Sequence, residues 1–318
     1  MTLSFVRLRT LAALALLLMG MVLTGCSDKS TDAQPKTITD IVLENPDFSI
    51  LKAAVAHAGV GDALKGTNLT LFAPNDAAFQ ASNLTAAALT ALPKDSVRNI
   101  LLYHVLYTKT LVADVPTGSN PVSTANNQAT AYLIKTPTDL FINNARVTLA
   151  DQPVANGVIH TINRVLTPSR GSLLNLAQRD PALSFLLLAA TRAAAANPAL
   201  ISALTTTPVT VFAPTNSAFI AAGYTSPASL NQASVQTLTA LLSYHILPGV
   251  IFSTQLAAGP VTTLSQASNN RLTVGLTASG ITVKGNQNPT AANLLAPPDV
   301  DIPITNGVVH KIDQLLRP

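Results

Sequence analysis

Five histidines punctuate this 318-residue chain, and four of them fall in two matched pairs. Tyr103-His104 returns as Tyr244-His245. His160, in Asn156-Gly157-Val158-Ile159-His160, returns as His310, in Asn306-Gly307-Val308-Val309-His310. An imidazole can act as a general base or bind a metal. A metal centre needs further ligands, and the chain has one cysteine and no His-Glu-x-x-His run. No metal site is therefore expected. Catalysis lacks support as well. There is no Gly-x-Ser-x-Gly elbow, no Walker loop and no Gly-x-Gly-x-x-Gly. Asp299 and Asp301 stand two apart in a proline-rich stretch that reads as a loop, not as a catalytic carboxylate pair. The expectation is a protein that is not an enzyme.

The elements that must carry the histidines point the same way. Val97, Ile100, Leu101, His104 and Val105 recur at helical spacing, and Leu238, Leu241, Leu242, His245 and Ile246 repeat them. These predict amphipathic helices with the histidines on the apolar face. His160 alternates with Val158 and Ile162 along a strand, as His310 does with Val308 and Ile312. All four are expected to face the core as neutral rings with hydrogen-bond partners. On the opposite face, Lys311 and Asp313 are expected in water. His57 lies off the Phe48/Leu51/Val55 helical stripe and is expected to be solvated.

The matched words belong to a larger duplication. Residues 69–79, LTLFAPNDAAF, return as 209–219, VTVFAPTNSAF. Asn45-Pro46-Asp47-Phe48 matches Asp180-Pro181-Ala182-Leu183. The order is the same in both copies and only the gaps widen, which is how loop insertions behave. The second copy gains residues around Ala193–Ser202 and before Asn306. The repeat is too long for a solenoid unit and has the size of a whole domain, about 100–150 residues. Each copy reads as helices followed by strands. Leu69–Phe72 and Val209–Phe212 are strands that pass into turns capped by Asn75 or Thr215. Ala131–Ile134, Arg146–Leu149, Arg271–Leu276 and Gly280–Lys284 are short strands, and Gly157–Leu166 and Gly307–Leu316 close the two copies.

The first residues read as an address. Arg7 and Arg9 precede an uncharged apolar run from Leu11 to Leu23, and Leu23-Thr24-Gly25-Cys26 follows. The run is too short to span a bilayer comfortably. It resembles a bacterial lipoprotein signal, which implies residues 1–25 as signal peptide, cleavage before Cys26 and lipid on the Cys26 thiol. Cys26 is the chain's single cysteine, so no intramolecular disulfide is available. Residues 26–36 then form a lipidated, flexible tether. Ser27 after the cysteine permits outer-membrane sorting. The expected location is the cell envelope, anchored to a membrane by lipid, on the periplasmic side or at the surface. Charged residues make up only 11% of the chain and no basic block stands out. Nucleic-acid binding therefore has no electrostatic footprint.

The three repeated words, in this order, resemble the fasciclin (FAS1) domain. The first signature is Thr70-Leu71-Phe72-Ala73-Pro74 through Phe79, and Thr210-Val211-Phe212-Ala213-Pro214 through Phe219. The central word is Tyr103-His104 and Tyr244-His245. The last runs from Asn156, Gly157 and His160 to Ile162, and from Asn306, Gly307 and His310 to Ile312. The resemblance implies an α+β fold of two tandem domains, 37–167 and 168–318, each a β-wedge of two sheets with several packed helices. It also implies an extracellular adhesion or interaction module without a cofactor. In animal members the Tyr-His word is tied to integrin recognition, so Tyr103, His104, Tyr244 and His245 are candidates for interaction or for a structural role. Phe72, Pro74, Phe79, Phe212, Pro214 and Phe219, with the Asn, Gly and His of the last word, are the structural candidates. The leading expectation is a surface-anchored lipoprotein that binds extracellular or envelope protein or polysaccharide, with no small-molecule substrate evident. The alternative is an envelope lipoprotein that binds a small ligand in an apolar pocket.

Overall fold

The computed structural model describes residues 34–318 apart from 128, 197–201 and 203. The expected signal peptide, Cys26, most of the expected tether and part of the Ala193–Ser202 insertion lie outside the described residues. Residues 36–318 form one compact unit.

In the first copy, helix α1 (Ile38–Glu44) starts at a reciprocal cap, where Asp40 N–H meets Thr37 Oγ1 and Thr37 N–H meets Asp40 Oδ2. A 3-10 turn at Pro46–Phe48 leads into α2 (Ser49–Ala58), which ends at Gly59 with φ 64°. Strand β1 (Leu69–Pro74) is followed by α3 (Asp76–Ala81), capped by Asn75, then α4 (Ala86–Ala91) and α5 (Lys94–Tyr103). The rest is strand: β2 (Val105–Leu106), β3 (Gly118–Ser123), β4 (Thr130–Lys135), β5 (Leu140–Ile142), β6 (Ala145–Val154) and β7 (Gly157–Ile162). The second copy repeats the plan. Helices α6 (Leu173–Arg179) and α7 (Ser184–Ala196) precede β8 (Val209–Pro214), and α8 (Asn216–Ala221), α9 (Pro227–Gln232) and α10 (Val235–Tyr244) follow it. Then come β9 (Ile246–Pro248), β10 (Gly259–Thr262), β11 (Arg271–Thr277), β12 (Gly280–Lys284), β13 (Ala292–Asn293), β14 (Ile302–Ile304) and β15 (Gly307–Ile312).

The two repeated words are neighbours in space. β1 and β7 pair in parallel from Leu69↔Gly157 to Pro74↔Ile162, and β8 and β15 pair in the matching register. Every residue of these four strands is buried. One face, with Leu69, Leu71, Ala73 and Ile159, packs on the helices. The other, with Phe72 and Ile162, packs on Tyr103 and the remaining strands. Both faces being covered is the usual state of parallel strands. It corrects the expectation that Lys311 stands in water, since Lys311 keeps only 6% of its surface. The closing strands also stop at Ile162 and Ile312, short of Leu166 and Leu316.

The first copy joins its strands in one sheet, in the order β2-β1-β7-β6-β5-β4-β3. β6 belongs to both halves, and two register shifts against β7 bend it. The second copy has two four-stranded sheets, β10-β11-β12-β13 and β14-β15-β8-β9. Between the copies, Ile134, Tyr132 and Phe141 pack with Val250, Phe252 and Val308. The rings of Tyr132 and Phe252 lie 6.4 Å apart.

Candidate functional site

The Tyr-His words end their helices and lie inside the domains. Tyr103 and Tyr244 are 1% and 0% exposed, and His104 and His245 are each 1% exposed. The Tyr103 hydroxyl donates to Thr130 O at 2.8 Å and accepts from Asn143 Nδ2 at 3.0 Å. The Tyr244 hydroxyl donates to Arg271 O at 2.6 Å and accepts from the Asn286 N–H at 3.1 Å. Burial pushes the Tyr103 phenol up to about 12 and raises that of Tyr244.

The His104 ring closes a short circuit of backbone. Its Nδ1–H donates to Ile100 O at 2.8 Å, one turn back, and its Nε2 accepts from the Leu166 N–H at 2.9 Å. His245 does the same with Leu241 O and the Leu316 N–H. Burial lowers both rings to about 4. Protonating such a ring would set its N–H against a backbone N–H.

The second pair of histidines is also saturated. His160 Nε2–H donates to Thr110 O at 2.9 Å, and Nδ1 accepts from the Asp151 N–H at 3.1 Å. His310 uses Ile251 O at 2.9 Å and the Asp301 N–H at 3.3 Å. Burial lowers both rings. Each lies against the phenylalanine of its partner strand, His160 on Phe72 at 5.2 Å and His310 on Phe212 at 5.8 Å. Asp151 and Asp301 sit at positive φ, 53° and 57°. The carboxylate of Asp151 accepts from the Val112 N–H, and that of Asp301 from the Ser253 N–H and Oγ–H and from Asn144 Nδ2 of the other copy.

Asn156 and Gly157 complete the word. Asn156 Nδ2 donates to Leu64 O and Gly66 O, and its Oδ1 accepts from the Ile38 N–H. Asn306 Nδ2 donates to Leu204 O and Thr207 O. A Cβ on Gly157 would lie 2.0 Å from Leu69 O, and one on Gly307 would lie 1.9 Å from Val209 O. Phe72, Phe79, Phe212 and Phe219 are buried, and Pro74 and Pro214 end β1 and β8. His57 is half-buried, with Nε2 3.1 Å from Leu92 O, so it is less solvated than its spacing predicts. With both nitrogens of four imidazoles bonded to backbone, none is free to take a proton from a substrate or bind a metal. Among the described residues, no three His, Cys, Asp or Glu side chains come together as a metal would require.

The side chains that remain available lie elsewhere. A cleft of about 690 Å³ opens beside the segment joining the copies, lined by Thr167, Pro168, Arg170 and Gly171, by Arg164 and Arg179, and by the 297–304 stretch. At its edge the buried Lys311 ammonium pairs with Asp180 and, at 2.6 Å, with Asp299. Burial pulls the Lys311 pKa down, but the hydrogen bonds and charges of the two carboxylates outweigh it, and the net shift is upward. Nothing in the spacing of the sequence singles out this cluster. The available signal was a difference between copies, since Thr161 stands where the second copy has Lys311. By contrast, the apolar cavity beneath His104 in the first copy holds about 10 Å³, room for one water at most.

Several known proteins are similar to this chain in sequence. The transforming growth factor-beta-induced protein ig-h3 of Sus scrofa is 28% identical over 285 residues, which cover 89% of this chain and 38% of that protein. The chain thus spans well under half of this longer relative. Protein sll1483 of Synechocystis sp. is 35% identical over 145 residues, 45% of this chain and 78% of that one. The cell surface glycolipoprotein MPB83 of Mycobacterium bovis is 30% identical over 131 residues, 39% of this chain and 57% of that one. Among solved structures, a FAS1 domain pair from the insect cell adhesion molecule Fasciclin I matches with TM-score 0.39 and 19% identity, over 85% of this chain and 96% of that one. The fasciclin domain model matches residues 46–168 and again 187–318. The chain belongs to the fasciclin domain family, with two such domains in tandem.

Proposed function

We propose that this protein is a lipid-anchored adhesion or interaction protein of the cell envelope that binds extracellular protein or polysaccharide and catalyses no reaction. The observation that carries the reading is the fate of the repeated words. Their tyrosines and histidines are buried and bonded to backbone, their half-buried asparagines hold backbone carbonyls, and their glycines press against the neighbouring strand, which leaves recognition to surfaces that differ between the copies. In this reading His104 and His245 fasten the end of a helix to the segment after the closing strand, and the Tyr-His words do not touch a partner.

The anchor is argued from the Leu23-Thr24-Gly25-Cys26 run, and a glycolipoprotein among the relatives is consistent with it. Several acyl chains on one cysteine would hold the protein firmly, where a single chain is marginal. Metabolic labelling with a fatty acid should mark the wild type and spare Cys26→Ala, which should be released from membranes. Cells that lack the protein should attach less to matrix- or polymer-coated surfaces. Unlabelled wild type would overturn the anchor, and unchanged attachment would overturn the adhesion role.

A further inference from the structure

The interdomain cleft has the size of a ligand site, about 690 Å³, and its charges are unequally committed. Lys311 is paired with both Asp180 and Asp299, which leaves one negative charge over in that trio. The Asp301 carboxylate is occupied by Ser253 and Asn144. Arg164, Arg170 and Arg179 also line the cleft and are exposed, and none of the three forms an ion pair among the described residues. Arg179 Nη1 donates to Arg170 O at 2.9 Å, which tethers its planar head beside the linker. Four cationic side chains, the three arginines and Lys311, face three carboxylates, Asp180, Asp299 and Asp301, around this concavity, so its net charge is only slightly positive, and the cations without an ion-pair partner are the three guanidinium groups.

Guanidinium groups bind carboxylates and sulfates through paired hydrogen bonds. Between them the cleft offers neutral polar side chains, Ser82, Asn83 and Thr167, suited to hydroxyl groups. Among the described residues, no aromatic side chain lines it. Protein partners draw most of their binding energy from buried aromatic and arginine anchors over a broad area, and this narrow cleft lacks the aromatic part. We propose that the cleft binds a segment of an acidic polysaccharide, with its carboxylate or sulfate groups on Arg164, Arg170 and Arg179. The proposal rests on the adhesion reading above and names the class of polymer.

The test titrates the full-length chain in detergent with oligogalacturonate, with a sulfated chondroitin oligosaccharide and with a neutral cello-oligosaccharide. Saturable binding is expected for at least one acidic sugar and not for the neutral one, and the acidic pair separates carboxylate from sulfate recognition. The combined Arg164→Ala, Arg170→Ala, Arg179→Ala variant should bind about tenfold or more weakly at an unchanged melting temperature, and the lysine versions should fall between. Binding of wild type should weaken as salt is raised. Equal affinity for neutral sugar, full binding by the alanine variant, or binding of polyglutamate but no acidic sugar would each overturn the proposal. Attachment to coated surfaces that ignores the three arginines would remove the cleft and leave the adhesion reading standing. Wild type that attaches to no surface would remove both.

Discussion

The two domains agree where they are buried and part company along one strand. In the first, β6 runs unbroken from Ala145 to Val154 and carries the sheet across. In the second, the corresponding stretch is split into the Leu294 bridge to Ile312 and β14, with Pro297-Pro298 between them. Proline offers no N–H to a ladder, so the strand cannot continue through the pair. The intervening loop is still pinned, because Lys311 N–H donates to Asp299 O and Lys311 Nζ reaches the Asp299 carboxylate. The first domain has Thr161 at that place, bonded to Gln152. A shared scaffold thus tolerates a change in one strand, and the change builds one wall of a charged cleft.

The deepest shared feature should be the hardest to alter. Gly157→Ala and Gly307→Ala each drive a methyl group into a backbone carbonyl of the neighbouring strand. Each should cost about 3 kcal/mol or more, read by chemical denaturation. An equal loss in both domains would support the common scaffold, and a mild loss in one would break the symmetry.

Acid comes next. His104 and His245 have folded pKa values of about 4 against an ordinary 6.5. Between those values the unfolded chain binds protons that the folded chain refuses, so stability falls as pH is lowered from 6.5 toward 4. The loss is about 3 kcal/mol per ring, and His160 and His310 act in the same direction. Unfolding curves across that range should show the loss, and His104→Gln should flatten part of it. Stability that does not change with pH would contradict the saturated-ring geometry.

Lys311→Thr converts the second domain to the residue of the first. It strands Asp180 and Asp299, whose side chains keep 18% and 38% of their surface. That exposure tempers the penalty to about 2 kcal/mol, below that of a fully buried pair. The reverse change, Thr161→Lys, should be the worse of the two, since no acidic pair awaits it. Smallest are Tyr103→Phe and Tyr244→Phe, which remove one buried hydroxyl each and should cost about 1 kcal/mol. A larger loss at Tyr103 would mark its bond to the Asn143 side chain, which the second domain replaces with the Asn286 backbone.

What was legible in the sequence was whatever the core repeats. β1, β7 and their copies are continuous apolar runs with fixed neighbours, so their words survive duplication together. The long helices announced themselves by period. Short polar-faced elements did not, and β3, with sequence Gly118-Ser119-Asn120-Pro121-Val122-Ser123, is exposed at alternate positions and contains a proline. Alternation places Lys311 on a wet face, whereas the strand is covered on both. The cleft left no local pattern, since Arg164, Asp180 and Asp299 meet only through folding.

The parallel pairing of β1 with β7 also sets a timetable. Leu69 must wait for Gly157, and Val209 for Gly307, before either sheet has its centre. Closing such distant segments is slow compared with local helix formation. Each domain therefore stays open until its final strand has been synthesised. A chain built this way keeps its central sheets unfinished until its last segments arrive, so compactness comes late and all at once in each domain.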